Sequence, residues 1–381
     1  MKKPKLLIAR DNFLPRWDGI ARVLTEIIPL LIKDYDVTVI APNYGEYKPK
    51  GYKLIRIKKS KLGLGDYEAA RFDRKTIKRE IKKTDIVFTQ TIGPIGFLSI
   101  YYARRKKKKI ATYIHSVEWE LVPMATNNLL LRKILYPVTK LMTKFIYKKP
   151  DLLIVPSSFL ADELTWRGID NKKTVATLGV DCEMFKPLKE STKEEKEKTE
   201  TIRKELQLEN NYVIGNHGRI ANEKDLITLL RAYNRFKKKH KNAKLLIIGD
   251  GLESIKKKLR KTKGCILTGK KNNAQDYLKL MNAYVTTSLT ETTSLTTLEA
   301  MATGLPVIST PVGFIKEYIK HGENGLIFKP KNSYDLYKKL EQIKNDPVRA
   351  TKLKINARNT VTENFQWKNT AEKIKEALKN L

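Results

Sequence analysis

Short apolar runs alternate with amphipathic stretches along the first 185 residues of the chain. The apolar runs cover residues 5–9, 37–40, 86–89, 110–114 and 152–155, and stretches of helical periodicity, such as 21–32 and 74–82, lie between them. A strand that is apolar throughout is buried on both faces, and helical crossovers between such strands build a parallel sheet. The pattern therefore predicts a doubly wound α/β domain.

A nearly continuous charged segment at residues 188–204 interrupts the pattern, and we interpret it as a surface excursion or hinge. The alternation then restarts, with strands predicted at 212–216, 244–248, 265–267, 283–287 and 307–309 and helices at 224–239, 253–261, 274–281 and 296–302. The region 334–381 is predicted to be helical. The chain thus predicts an α/β fold of two tandem Rossmann-like doubly wound domains, 1–185 and 186–364, facing across a cleft. A last helix at 365–381 is predicted to return to the first domain.

Positive charge dominates the composition, with 76 Lys and Arg against 41 Asp and Glu and a formal net charge of +35. Residues 129–149 alternate apolar and basic positions at helical spacing, although Pro137 is expected to kink or break that helix. Basic amphipathic helices bind anionic membrane surfaces, whereas a Lys-rich proteome produces similar solvated faces. Both explanations remain open. No nucleic-acid-binding motif accompanies the charge, so nucleic acid is not an expected partner.

Cysteine usage and the start of the chain indicate a cytoplasmic protein. Cys182 and Cys265 cannot form a disulfide framework, and no Cys/His cluster indicates a metal site. Residues 1–10 have a basic head and a short apolar run, which predicts a buried first strand rather than a signal peptide. No segment reaches the length of a membrane span. We therefore expect a cytoplasmic protein, peripheral on the inner face of the membrane if its basic surface binds lipid, with no metal.

The segment 288–306 contains Glu291 and Glu299, a run of Thr and Ser between them, and an apolar helical stretch. Small hydroxyl residues that lead into a helix leave backbone N–H groups free for a phosphate, and carboxylates accept hydrogen bonds from ligand hydroxyls. Together these properties indicate a nucleotide sugar. The residues from Thr296 to Glu299 also fit a capping box, in which the glutamate caps the helix. Spacing alone leaves the two explanations open.

Two other segments favour the ligand explanation. Gly218, Arg219 and Lys224 follow a predicted strand and precede a helix, so the glycine allows a tight turn and the two cations lie at the carboxyl end of the strand. Two cations can neutralise a diphosphate and stabilise it as a leaving group. His115 follows the strand 110–114 of the first domain. A lone histidine is more often structural, but this position at a strand end supports a functional role.

These motifs, in this order, resemble a glycosyltransferase family. The segments are Gly-Arg-Ile…Glu-Lys at 218–224, Ile-Gly-Asp-Gly at 248–251, two glutamates eight positions apart, and Ala-x-Gly-x-Pro-Val at 302–307. Together with 180–187, 324–328 and 365–367 they resemble the retaining glycosyltransferases of family 4, group 1, which have the GT-B fold. The resemblance implies an enzyme that uses a nucleotide-diphosphate sugar, most often a UDP sugar, as a substrate and needs no cofactor.

The resemblance also implies roles for residues of the second domain. Arg219 and Lys224 would hold the diphosphate, Glu299 the ribose hydroxyls, and Glu291 the hydroxyls of the transferred sugar. Gly218 belongs to the same donor site. Further donor contacts would come from the backbone N–H groups of Thr293, Ser294 and Leu295.

In the first domain, His115 would lie near the sugar and Gly19 would belong to a glycine loop that closes over the diphosphate. The chain departs from the family pattern in three places. Asp18 precedes Gly19 where many members have a second glycine, Thr293-Ser294 replace Phe-Gly, and Asp225 replaces a glycine. These departures leave the sugar specificity open.

We therefore predict a retaining transferase that moves a hexose to a lipid or lipid-linked acceptor at the cytoplasmic membrane face. Its catalytic residues would be His115, Glu291, Arg219 and Lys224, with the leaving diphosphate helping to deprotonate the acceptor. Electrostatic stabilisation of the developing charge would come from the two cations. A soluble sugar acceptor and a GT-B sugar-nucleotide epimerase are the alternatives.

Overall fold

The structure is a computed structural model that describes residues 3–16, 19–64, 67–124, 126 and 128–381. The chain divides into two compact units, the first formed by Met1–Leu178 with Trp367–Leu381 and the second by Gly179–Gln366. The divisions between the units lie at 178 and 366, whereas the sequence predicts domain boundaries at 185 and 364.

The strands of the described residues, in chain order, are β1 Lys5–Ala9, β2 Asp36–Pro42, β3 Lys53–Ile57, β4 Lys59–Leu64, β5 Tyr67–Ala70, β6 Ile86–Thr89, β7 Lys109–Tyr113, β8 Leu152–Val155, β9 Lys172–Val175, β10 Tyr212–His217, β11 Ala243–Ile248, β12 Cys265–Leu267, β13 Ala283–Thr286, β14 Val307–Ser309 and β15 Leu326–Ile327. The helices are α1 Gly19–Leu31, α2 Arg74–Lys82, α3 Pro94–Arg105, α4 Glu118–Met124, α5 Leu129–Tyr147, α6 Ser158–Trp166, α7 Lys193–Glu205, α8 Leu226–Lys239, α9 Glu253–Arg260, α10 Ala274–Leu278, α11 Leu295–Ala302, α12 Ile315–Tyr318, α13 Ser333–Asn345, α14 Pro347–Asn364 and α15 Trp367–Lys379.

The first unit is built on a parallel sheet with the strand order β3-β2-β1-β6-β7-β8-β9. Its central strands are buried along nearly their whole length, as expected for a sheet covered by helices on both faces. Strands β2 and β3 are added to the sheet on one side of β1, and the strands from β6 onward are added on the other side. This change of side, between β1 and β6, is the strand reversal of the first unit. Helix α15 packs against α1, and Thr370 Oγ1 donates a hydrogen bond of 2.7 Å to the carbonyl of Thr177.

The second unit is built on a parallel sheet with the order β12-β11-β10-β13-β14-β15. One apolar layer contains residues of α8, α9 and α13, and the other contains residues of α10, α11 and α14. Strand addition reverses between β10 and β13. In a doubly wound sheet this reversal creates a crevice at the carboxyl ends of the two strands, where ligands bind.

The structure differs from the sequence prediction at the charged segment and at Pro137. The segment predicted as a surface excursion contains helix α7, which begins with a capping box between Thr192 and Glu195 and buries Thr199 and Ile202. Helix α5 runs without interruption through Pro137, so the expected break is absent from the described residues. Pro137 is exposed to solvent, where water can hydrate a carbonyl that loses its helical partner.

Candidate functional site

The loops that follow β10 and β13 lie next to each other at the strand reversal of the second unit. Asn216 Nδ2 donates to the carbonyl of Val285 at 2.8 Å, and Thr287 Oγ1 donates to the carbonyl of Lys224 at 2.7 Å. The N–H of Leu289 donates to the carbonyl of Glu223 at 2.7 Å. The first bond joins the ends of β10 and β13, and the other two join the loop that contains the predicted cations to the loop that contains Glu291.

Lys224 and Glu291 form an ion pair between the two loops. Lys224 Nζ lies 2.6 Å from Glu291 Oε1, and the two side chains are 25% and 11% exposed. Ser288 Oγ donates to the same carboxylate oxygen at 2.7 Å. The family resemblance implies that the two side chains bind different parts of one ligand, and the structure brings them into direct contact. An ammonium has three donors, so Lys224 can hold Glu291 and a phosphate oxygen together.

Arg219 also has a carboxylate partner, since its guanidinium forms an ion pair with Glu223. The Arg219 side chain is about half exposed, whereas Glu223 is buried. Both cations predicted to hold a diphosphate are therefore held in place by acidic side chains. Glu223, and Ser288 beside Glu291, had no role in the sequence prediction, although both lie within the motifs that identified the site.

Helix α11 begins at Leu295, with Ser294 as the residue before its first turn. Glu299 is therefore too far into the helix for the predicted capping box, in which Thr296 would precede the first turn, and that interpretation is wrong. The buried Glu299 side chain instead points at the end of β10, where its Oε2 lies 3.2 Å from His217 Nδ1. The first N–H groups of the helix have no intrahelical acceptor, as at any helix start.

Two of the residues that depart from the family pattern have left-handed backbone conformations. Ser294 has φ 59° and ψ 70°, and Asp225, which precedes α8, has φ 43° and ψ 45°. Glycine adopts this conformation without steric cost. Each substitute has a local hydrogen bond: Ser294 Oγ lies 2.8 Å from Thr297 Oγ1, and Asp225 Oδ2 accepts from Thr228 Oγ1 at 2.6 Å.

Close backbone contacts fix the shape of both loops. A Cβ on Gly249 would lie 1.8 Å from the carbonyl oxygen of Gly218, and a Cβ on Gly313 would lie 1.5 Å from that of Glu291. Both glycines also have positive φ, at 154° and 52°. The segment Gly249-Asp-Gly251, predicted to be a tight turn, therefore packs against the loop after β10. These positions accept no larger side chain without displacing a loop.

The loop that contains Thr293 is anchored from its other side. The N–H of Phe314 donates to the carbonyl of Thr292 at 3.1 Å, and Tyr318 Oη donates to the carbonyl of Thr293 at 3.0 Å. Thr293 is buried, and its Oγ1 has no hydrogen-bond partner in the described part of the chain. A hydroxyl in this state can bond to a ligand atom without giving up a protein partner.

His115 lies in the first unit, just after β7, and is buried. Its Nε2 is 2.7 Å from Gln90 Oε1, and its ring stacks on Tyr113 with the centroids 4.2 Å apart. Burial, and then the positive charge of Arg10, hold the pKa of His115 well below its usual value. The imidazole is therefore neutral at neutral pH, which suits it to hydrogen bonding rather than to carrying charge.

A polar residue that the sequence prediction missed lies at the strand reversal of the first unit. Asp11, after β1, is buried and accepts bonds from the N–H of Ile95 at 2.7 Å and from Thr91 Oγ1 at 2.7 Å. Burial raises the pKa of its carboxyl despite these bonds. Away from this reversal, Glu118 at the start of α4 accepts from Tyr147 Oη at 2.8 Å, and burial raises its pKa to about 7. The position of Asp11 directly after a buried strand was the available signal.

Gly19 is the first residue of α1. Trp17 and Asp18, the residues of the glycine loop before it, lie outside the described residues. No group of three His, Cys, Asp or Glu side chains within the described ranges could hold a metal ion. Among the helices that the structure describes, none is long and apolar enough to cross a bilayer.

The fold and the loops at the two strand reversals define a class of two-unit α/β transferases with the GT-B fold. Residues 17–184 match the family model "Glycosyltransferase Family 4", and residues 197–360 match "Glycosyl transferases group 1". The two models together cover most of the sequence. The chain belongs to the family 4, group 1 glycosyltransferases.

Similar sequences extend over most or all of the chain. A glycosyltransferase of Methanocaldococcus jannaschii is 25% identical, with 100% of each chain covered. Alpha-monoglucosyldiacylglycerol synthase of Acholeplasma laidlawii is 26% identical over 71% of this chain and 70% of its own length. Sulfoquinovosyl transferase of Arabidopsis thaliana is 27% identical over 77% of this chain and 56% of its own.

Solved structures share the fold at lower identity. HepE of Anabaena, solved with UDP and glucose, has a TM-score of 0.78 at 16% identity and covers 99% of this chain and 100% of its own. WaaG, described as a glycosyltransferase of lipopolysaccharide biosynthesis, has a TM-score of 0.71 at 15% identity, with 98% and 99% covered. These structures agree in fold with the two parallel-sheet units described above.

Proposed function

We propose that the chain transfers a hexose from a nucleotide-diphosphate sugar with retention of anomeric configuration, and that the loops after β10 and β13 hold the donor. The observation that carries this proposal is the Lys224–Glu291 ion pair of 2.6 Å at the strand reversal. In this proposal the cation of the pair binds phosphate, and the carboxylate beside it binds sugar hydroxyls. Few other ligands combine these two chemistries.

The donor diphosphate would bind between Lys224, Arg219 and the start of α11. Lys224 keeps Glu291 on one of its donors and gives another to a phosphate oxygen. The positive end of the α11 dipole and the buried hydroxyl of Thr293 favour the same anion. As the sugar–phosphate bond breaks, negative charge grows on the diphosphate, so these fixed groups stabilise the transition state more than the ground state.

The two glutamates would accept hydrogen bonds from hydroxyl groups of the donor. Glu291 would bind those of the sugar, and Glu299 would bind those of the ribose. The neutral imidazole of His115 would hydrogen-bond to the sugar without competing for the phosphate. In this proposal the departing diphosphate accepts the acceptor's proton. Uridine is our choice of base because HepE, which has the same fold, was solved with UDP and with UDP-glucose.

We propose a lipid or lipid-linked acceptor at the cytoplasmic face of an anionic membrane, where the protein is peripheral. Two observations support this choice. One relative is named as a synthase of a glucosyl diacylglycerol, and the chain has a net charge of +35, which favours an anionic surface.

The test is a transfer assay with UDP-glucose and diacylglycerol in vesicles, with a soluble hexose as the alternative acceptor. We expect a glycolipid whose linkage has the configuration of the donor, and loss of transfer in Lys224→Ala and Glu291→Ala. Lys239→Ala is the control, because Lys239 pairs with Glu341 where α8 leads into the start of β11. This position lies at the amino ends of the strands, opposite the candidate site at their carboxyl ends. An inverted product, or an epimerised donor without transfer, would contradict the proposal.

A further inference from the structure

Helix α5 of the first unit has an apolar face that no described part of the chain covers. Apolar side chains recur every three or four residues along it, and Leu130, Leu141 and Phe145 are 73%, 72% and 60% exposed. The face contains the following residues: Leu130, Leu131, Ile134, Val138, Leu141, Met142 and Phe145. Single exposed apolar residues are ordinary, but a continuous row of them along about 23 Å of helix marks an interaction surface.

Lysines flank this face along one side. Lys133, Lys140 and Lys144 are spaced at helical intervals, and none of them forms an ion pair with a carboxylate of the described residues. An apolar row beside a row of unpaired cations is the pattern of a helix that lies in the headgroup region of an anionic bilayer.

A pocket of about 220 Å³ opens beside the lysine row. Its lining combines cations and indole rings: Trp119, Lys140, Lys144, Trp166, Arg167 and Ile169. The Arg167 guanidinium lies 5.2 Å from the centre of the Trp119 ring and holds Glu163 at 2.7 Å. The residues that line the pocket therefore include three cations and no carboxylate, and Glu163 offsets only Arg167.

Two indoles make the pocket suitable for a lipid headgroup. Trp119 is 1% exposed, and its Nε1–H donates to no acceptor in the part of the chain that the structure describes. A buried N–H donor in a positive pocket can bond to an anion. Trp166 is 87% exposed at the rim, and tryptophan is the side chain most typical of the membrane–water interface.

We propose that the apolar face of α5 and this pocket form one docking site for a bilayer that contains anionic phospholipid. The apolar face enters the headgroup boundary, and the pocket holds the phosphate of one lipid between Lys140, Lys144 and Trp119. This site would be the surface by which the protein carries out the membrane association proposed above. The inference therefore rests on that part of the proposed function. Binding is measured without donor or acceptor, so its outcome is independent of sugar transfer.

The test is co-sedimentation of the full chain with phosphatidylcholine vesicles, with and without phosphatidylglycerol. We expect binding that depends on phosphatidylglycerol and that falls roughly 10- to 30-fold in Lys140→Ala/Lys144→Ala, since each lysine at an anionic surface contributes about three- to fivefold. Lys140→Arg/Lys144→Arg should restore it. Leu141→Glu/Phe145→Glu should also lose at least tenfold.

The matched control is Lys368→Ala/Lys373→Ala on α15. This helix packs against α1, and the crossovers that contain α1 and α5 run in opposite directions along the sheet, so they cover opposite faces. The control should bind normally, and far-UV circular dichroism should show that every variant is folded. A blue shift of Trp166 emission, measured as the difference from Trp166→Phe, should accompany binding.

Three results would overturn the proposal. Equal loss in the α15 control would show that overall charge, and not this site, causes the binding. Equal binding to both vesicle types would exclude an anionic headgroup. A concentration-dependent dimer that Leu141→Glu abolishes, without vesicle binding, would assign the face to a second copy of the chain.

Discussion

Breaking the Lys224–Glu291 pair should destabilise the second unit measurably, even without a ligand. At 2.6 Å the gross attraction is about 6 kcal/mol for an effective dielectric constant of roughly 20. Desolvation of the two groups offsets most of it. Loss of one partner costs about 3–5 kcal/mol in fully buried pairs and about 0–1 in exposed ones. Because these side chains are 25% and 11% exposed, we expect Lys224→Met to lower the free energy of unfolding by about 2 kcal/mol.

A double-mutant cycle isolates the pair. Glu291→Gln keeps an acceptor for Ser288 Oγ, so its cost should be smaller than that of Lys224→Met, and the double variant should recover about 1–2 kcal/mol relative to the sum. Urea unfolding followed by circular dichroism provides the free energies. A coupling energy within about 0.5 kcal/mol of zero would refute the reasoning, since it would mean that solvent screens the pair completely.

Three further predictions concern the loops and one buried carboxyl. Asp225→Ala should lower the free energy of unfolding by about 1–2 kcal/mol, because alanine removes the side-chain cap of α8 and keeps a Cβ on a left-handed backbone. Asp225→Gly should stay within about 0.5 kcal/mol of wild type in urea unfolding. Gly313→Ala should abolish UDP-sugar binding and cost at least about 2 kcal/mol, because its Cβ would overlap the carbonyl of Glu291; Gly269→Ala, with positive φ but nothing within 4 Å, should keep binding. Glu118, with a pKa raised to about 7, binds more protons folded than unfolded between about pH 4.5 and 7, so stability should fall as pH rises through this range. The loss should reach up to about 3 kcal/mol and should be absent in Glu118→Gln, as pH-dependent urea unfolding can show.

The sequence could predict the elements that are buried on both faces. Strands β1, β6, β8, β12 and β14 were predicted at their observed bounds, because a parallel sheet under two helix layers requires continuous apolar runs. Strands β3 and β9 at the sheet edge were missed, since lysines occupy their exposed positions and no apolar run marks them. Helix α7 was missed for a related reason, because charged residues cover all but a narrow buried face.

The sequence could predict which residues belong to the candidate site, but not which of their side chains contact one another. Spacing identified Glu291, Lys224 and Glu299 as candidates but could not show which side chains meet, because the contacts join loops 67 residues apart in the chain. The helix start was misplaced by one residue at Thr296. The reason is that Ser294 has a left-handed backbone, which no local pattern of Thr and Ser specifies.

Calorimetric titration of UDP-glucose into wild type and Lys224→Ala tests the central claim most directly, with Lys239→Ala as the control and GDP- and ADP-glucose as alternative ligands. The account predicts that wild type and the control bind one nucleotide sugar with equal affinity. Lys224→Ala should bind it about 10- to 100-fold more weakly, as expected for the loss of one charge-assisted bond to phosphate. Equal affinity in Lys224→Ala, or no binding of any nucleotide sugar to the wild type, would contradict the account.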